Sequence, residues 1–228
     1  MDRRAFTRLA LSGLGAALFP ATLCRAAQLA PGDQSQRPGT LPMPDPAMVA
    51  KPGASPYQAL LERAKTALDS HRARIALRDR VALADFSAAS KELRFHIVDL
   101  EGGKATSYLV AHGRGSDPEH SGWLRSFSND MGSFATSDGA YVTGEVYEGQ
   151  HGQSMRLLGL DPQNNNAEAR AIVIHGADYV SENFLDQWGK LGRSEGCFAL
   201  APHMVPTVLG QLGNGRLLYA DKVQTSGA

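Results

Sequence analysis

The chain has 228 residues, with 23 basic and 23 acidic side chains. Without a basic excess it does not read as a nucleic-acid binder. No segment supplies the about 20 apolar residues that a membrane span needs, so the chain reads as one globular domain of ordinary size behind a leader.

Residues 1–27 read as an export signal. Asp2-Arg3-Arg4-Ala5-Phe6-Thr7-Arg8 is a charged head that resembles a twin-arginine motif, and Leu9 to Leu23 is an apolar stretch broken by Gly13, Gly15 and Pro20. Cys24-Arg25-Ala26-Ala27 offers small residues for cleavage. Leu23 occupies the place where a lipid-anchored cysteine needs a small residue. Removing the segment takes away four basic residues and one acidic, leaving 19 against 22. The expected location is the periplasm.

Residues 28–56 hold seven of the twelve prolines and no apolar periodicity. Such a composition cannot bury enough surface to offset its ordering entropy; it is either a spacer or an arm lying on the domain. In the next segment, 57–80, Leu60, Leu61, Ala64, Ala67 and Leu68 recur at helical spacing, which predicts a helix from Tyr57 to Arg78 behind Pro56. From Val81 the period shortens. Val81–Phe86, Leu93–Val98, Ala105–Ala111, Ala140–Tyr147, Met155–Leu160, Ala171–His175 and Leu217–Val223 are strand candidates, separated by turns such as Glu101–Lys104 and Asp161–Asn166. Residues 81–228 therefore predict a mainly β domain, a sandwich or partly closed barrel with a few helices.

With Cys24 lost on export, Cys197 is an unpaired thiol in a compartment that favours pairing. It sits in Arg193-Ser194-Glu195-Gly196-Cys197, and His175-Gly176 closes an apolar run 22 positions upstream. A free thiol has a pKa of about 8.5 and is a weak nucleophile until a base takes its proton. His175 is that candidate base, mounted at a strand end where Gly176 lets the backbone turn. Gly196 permits a tight turn before the sulfur, and the N–H groups of Gly196 and Cys197 are candidate oxyanion donors. His112 and His151, each before a glycine, are candidates to line a cleft. Tyr179 is a further candidate contact.

His-Gly followed by Ser-x-Gly-Cys resembles the catalytic domain of the YkuD-type L,D-transpeptidases. Phe127-Ser128-Asn129-Asp130, Thr143-Gly144-Glu145-Val146-Tyr147, His151-Gly152-Gln153-Ser154-Met155-Arg156-Leu157 and Arg170-Ala171-Ile172-Val173-Ile174-His175-Gly176-Ala177 are similar to its divergent murein branch. The resemblance runs from about Val81 to Val223. It implies a β-rich fold, a Cys197 acyl-enzyme with His175 as proton carrier, no cofactor or metal, and peptidoglycan stem peptides as donor and acceptor. The product it implies is either a link between L-alanine at position 1 and diaminopimelate at position 3, or the 3-3 link of two diaminopimelates. Water as acceptor would give a carboxypeptidase or endopeptidase. The family's usual Ser-His-Gly-Cys, followed by an apolar residue and then Arg or Asn, is altered here to Glu195 and Ala199. Arg193 is then either the missing cation, clamping a substrate carboxylate, or an exposed arginine beside a turn. Glu195 either points to solvent or meets a diaminopimelate amine. The competing readings are a sortase-like transpeptidase using Arg216, a metal-binding module using Cys197 and histidines, and a family member that binds peptidoglycan without reacting.

Overall fold

The structure is a computed structural model and describes residues 56–223. The expected export signal and the expected linker, up to residue 55, lie outside the described residues.

The first helix, α1, covers Pro56–Ser70 and buries Tyr57, Leu60, Ala64 and Leu68 on one stripe. It stops eight residues short of the predicted end, because the apolar spacing lapses after Leu68. The Arg78 guanidinium folds back to donate to the Leu68 carbonyl at 3.0 Å, so a last-turn acceptor is satisfied from outside the helix.

Eight strands follow: β1 (Arg80–Asp85), β2 (Phe95–Asp99), β3 (Ala105–Tyr108), β4 (Gly139–Gly149), β5 (Gly152–Gly159), β6 (Val173–Gly176), β7 (Phe198–Leu200) and β8 (Leu217–Asp221). Two short helices, α2 (Glu182–Trp188) and α3 (Val205–Leu212), interrupt them. The strands form a single mixed sheet in the order β3-β2-β1-β8-β4-β5-β6-β7. The expectation of a mainly β fold with an N-terminal helix holds. The sheet is not closed: its end strands β3 and β7 do not pair with each other. Among the described residues, only isolated bridges from the chain beyond β3, Ala111 to Ala199 and Gly113 to Ser194, reach the far edge.

The middle of the sheet is covered on both faces. Val81 and Leu83 of β1, with Leu217 of β8, pack under α1. Ala82 and Ala84, with Leu218 and Ala220, face the opposite core beside Tyr141, Phe198 and the α3 residues Val208, Leu209 and Leu212. Burial on both faces explains why Val81–Phe86 reads as a continuous apolar run. Each fully buried leucine here contributes about 1.5–3 kcal/mol. Neither β7 nor α2 was legible in the sequence. The first is three residues long, and none of the α2 residues is fully buried, so neither prints a usable period.

Candidate active site

The register of β6 against β7 places the two central residues. These strands run parallel with His175 opposite Ala199. Ile174, Phe198 and Leu200 point into the large core. The period of two therefore turns His175 to the other face, and Cys197, immediately before β7, shares the parity of Ala199. Both side chains line one hollow of about 660 Å³.

His175 is 4% exposed. Its Nδ1 lies 2.9 Å from the Gly176 carbonyl, which only accepts, so Nδ1 carries the proton and Nε2 keeps its lone pair. Burial, the largest influence, pulls the imidazole below its ordinary pKa, opposed by the Gly176 hydrogen bond, and the ring is held as a neutral base. The His151 ring, from the turn joining β4 and β5, stacks on it at 4.4 Å between centroids; His151 also lines the hollow.

Cys197 is half-buried. Its thiol donates to the Ala171 carbonyl at 3.4 Å, and among the described residues no hydrogen bond joins it to His175. Burial pushes the thiol above its usual range, while the Val173 N–H and the Arg170 charge favour the thiolate. In the resting site the sulfur is therefore protonated.

The glycines act differently from expectation in one case. Gly196 has φ +119, and a Cβ there would lie 2.6 Å from Ile172 Cδ1 and 2.8 Å from the Ala135 carbonyl; it is both the turn and a close approach. Gly176 does not turn the chain. It is the last residue of β6, still paired with Leu200, and its missing Cβ makes room for Pro202 and Val205, at 3.1 and 3.2 Å. The Gly196 N–H is also turned inward, onto Ser194 Oγ at 3.2 Å. Ser194 Oγ in turn donates to the Cys197 carbonyl at 2.7 Å, so this buried serine braces the loop.

The flanking residues sort as follows. Arg193 lines the hollow, but its Nη1 is spent on the Asp117 and Pro118 carbonyls. Glu195 is exposed and pairs with Arg114 at 3.0 Å, whose guanidinium lies over the Phe134 ring at 3.8 Å. Tyr179 lines the hollow, and burial pushes its phenol up to about 12. Gly192 admits it, since a Cβ there would stand 2.5 Å from Tyr179 Cβ.

His112 does not line the hollow. It is 1% exposed, accepts at Nδ1 from Arg94 Nη2 at 2.8 Å, and turns Nε2 towards Asp117 at 3.5 Å. Nε2 has no hydrogen-bond partner among the described residues. Burial first, and the Arg94 charge second, drop its pKa to about 3. The His112 carbonyl accepts from the Ser194 N–H at 2.9 Å, so this histidine supports the cysteine loop from behind. Arg216 is also elsewhere, in a two-pronged pair with Asp79 at 2.8 and 2.9 Å, which removes the arginine of the sortase-like reading. Among the described residues no three His, Cys, Asp or Glu side chains are grouped to hold a metal ion, and no helix is long and apolar enough to cross a membrane.

Sequence reasoning missed Ala171, whose carbonyl accepts from the sulfur, and Arg170, whose guanidinium lies against Gly196. Both stand in the Arg170–Ala177 stretch that carries the family resemblance, directly before the strand that holds His175, but nothing in that stretch gave them a role. Ala199 is fully buried among Ala111, Val180, Leu191 and Ala201, so a long polar side chain has no space there.

A profile of the family described as L,D-transpeptidase catalytic domain matches residues 54–220, and the chain belongs to that family. The matched region takes in α1, which the sequence motifs leave outside. No curated protein matches the chain. Solved structures similar to it include LdtMt1, an LD transpeptidase in complex with imipenem, 12% identical over 63% of this chain and 59% of that one, TM-score 0.38. An L,D-transpeptidase from Stackebrandtia nassauensis is 16% identical over 67% of this chain and 60% of its own, TM-score 0.38. The helical cell shape determining protein Pgp2 from Campylobacter jejuni is 14% identical over 64% of this chain and 48% of its own, TM-score 0.42. The chain thus spans about half to three fifths of those proteins, and the family profile alone carries the assignment.

Proposed function

We propose that the protein is an exported, cysteine-dependent L,D-transpeptidase acting on peptidoglycan stem peptides. The observation that supports it most is that Cys197 and the neutral, Nδ1-anchored His175 line one open hollow. Cys197 gives its proton to His175 Nε2 and attacks a stem carbonyl. The oxyanion faces the Cys197 N–H, since Gly196 has committed its own to Ser194. The C–N bond breaks, and the leaving amine takes the proton from His175. A second stem's amine then attacks the thioester, His175 collects its proton, and the thiol leaves re-protonated. Proton transfer of this kind contributes about 10²–10⁴ in rate, and holding both stems in the hollow adds more.

Neutral His175 supports base catalysis at neutral pH, and the high thiol pKa means that the proton moves only with substrate in place. With water as acceptor the same steps give a carboxypeptidase or endopeptidase. Incubation with purified tri-, tetra- and pentapeptide muropeptides separates these outcomes and shows whether the product is a 1-3 or a 3-3 link. Cys197→Ala should form no new cross-link; normal cross-linking by that variant ends the proposal.

A further inference from the structure

The Arg170 guanidinium is half-buried at the wall of the hollow. It is held by four acceptors. Nη1 donates to the Ser128 carbonyl and Ser137 Oγ, both at 2.7 Å, and Nη2 to Ser133 Oγ at 3.1 Å and to the Ala135 carbonyl. All four are neutral. Buried cations are ordinarily paired with an anion; among the described residues this half-buried one makes no salt bridge, and the Asp130 carboxylate acts on it from beyond hydrogen-bond reach. It lies against the cysteine loop, where a Cβ on Gly196 would be 3.3 Å from Nη2.

The next residue adds a second observation. Ala171 has φ +53, a left-handed conformation that costs a non-glycine residue roughly 1–2 kcal/mol. Backbone bonds from Arg170 N–H to the Asn166 carbonyl (2.8 Å), Ala171 N–H to Glu168 (3.0 Å) and Ile172 N–H to Ala167 (2.9 Å) hold the turn. That turn brings the Ala171 carbonyl to the sulfur while it keeps Arg170 at the wall. Strain kept beside a reacting atom is a pointer to function.

We propose that Arg170 is the charge partner of the Cys197 thiolate, held by neutral acceptors so that its positive charge stays free for the anion formed when the thiol gives up its proton. The inference rests on Cys197 being the nucleophile. The other groups facing the sulfur are placed less well for this duty. Arg193 is turned to the Asp117 and Pro118 carbonyls, Glu195 carries the wrong sign, Tyr179 and His175 are neutral, and His151 lies over the His175 ring. The mutual attraction of Arg170 and Cys197 opposes the burial that keeps the thiol protonated.

The test is the pH dependence of Cys197 alkylation by iodoacetamide in the full chain, without substrate, read on the Cys197 peptide by mass spectrometry so that Cys24 does not contribute. Arg170→Gln keeps hydrogen-bond donors and removes the charge; its thiolate fraction at fixed pH should fall about tenfold. Arg170→Lys keeps the charge and should stay within about twofold of the parent. A Gln profile superimposed on the parent overturns the proposal. If the Gln variant does not fold, the Lys variant decides: near-parent reactivity supports the charge role, and a tenfold loss in a folded Lys variant assigns Arg170 to architecture alone. Because no stem peptide is used, a shifted profile stands even if no cross-linking is found. Normal acylation with an unshifted profile removes only Arg170.

Discussion

The two ends of this domain are built from different materials. Under α1 the packing is almost wholly apolar: Leu60, Ala64, Leu68, Val81, Leu83 and Leu217 meet with little polar content. Around the hollow the buried set includes His112, Ser116, Asp117, Thr136, Ser137, His175 and Ser194. The left-handed non-glycine residues Phe134 and Ala171 also belong to this side. The first region gains stability by removing apolar surface from water. The second gives up some of that gain to hold a neutral imidazole, a thiol and a guanidinium clamped by neutral acceptors at fixed positions. Local rules are kept where the fold is made and broken around the hollow where the chemistry is proposed.

The contrast can be broken from either side. His175→Ala should cost about 10²–10⁴ in the rate of stem-peptide acylation and leave cooperative unfolding in place, as followed by adduct formation and thermal melts. Leu60→Ala should do the reverse. Truncating a fully buried leucine should cost about 2–5 kcal/mol in denaturant unfolding, with acylation per folded molecule unchanged. If Leu60→Ala slows acylation of the folded fraction as much as His175→Ala does, the two regions are not separable.

The acid limb of stability tests the wall behind the cysteine loop. His112 has its folded pKa depressed to about 3 from an ordinary 6.5. A depressed group contributes stability that is present above its unfolded pKa and lost as pH falls towards its folded pKa. Between pH 7 and pH 5 this amounts to about 2 kcal/mol. His112→Asn, which can still accept from Arg94, should flatten that slope. His96 and His175 are depressed in the same direction by burial, so some slope should remain.

How much of this was legible follows from the same division. The central strands and α1 announced themselves because their apolar residues recur at a fixed period. Cys197 and His175 stood out because a lone thiol and a strand-end imidazole are rare types in a motif. The register of β6 on β7 that brings them to one face was not readable, since β7 is three residues long. Arg170 was hidden for another reason: nothing in its type separates an arginine clamped by serines from one in solvent, and its acceptors lie 33 to 42 positions away. His112 looked like His151, each a histidine before a glycine. Only tertiary packing sends one under the loop and stacks the other on the His175 ring.

The smallest expected effect is at Ala171. Ala171→Gly relieves the left-handed strain and should raise stability by about 0.5–1 kcal/mol, measured by denaturant unfolding. The freer turn should hold Arg170 and the sulfur less firmly and slow Cys197 alkylation a few fold. A gain in stability with no loss of reactivity would mean that the strain serves packing only.

The most direct measurement is intact-protein mass spectrometry after mixing the protein with a defined tetrapeptide muropeptide. The expected result is a mass increase equal to the acyl portion of the donor, mapped to Cys197, slowed in His175→Ala and absent in Cys197→Ala. A cross-linked product that forms equally well with Cys197→Ala, or an adduct mapped to a different side chain, would contradict the account.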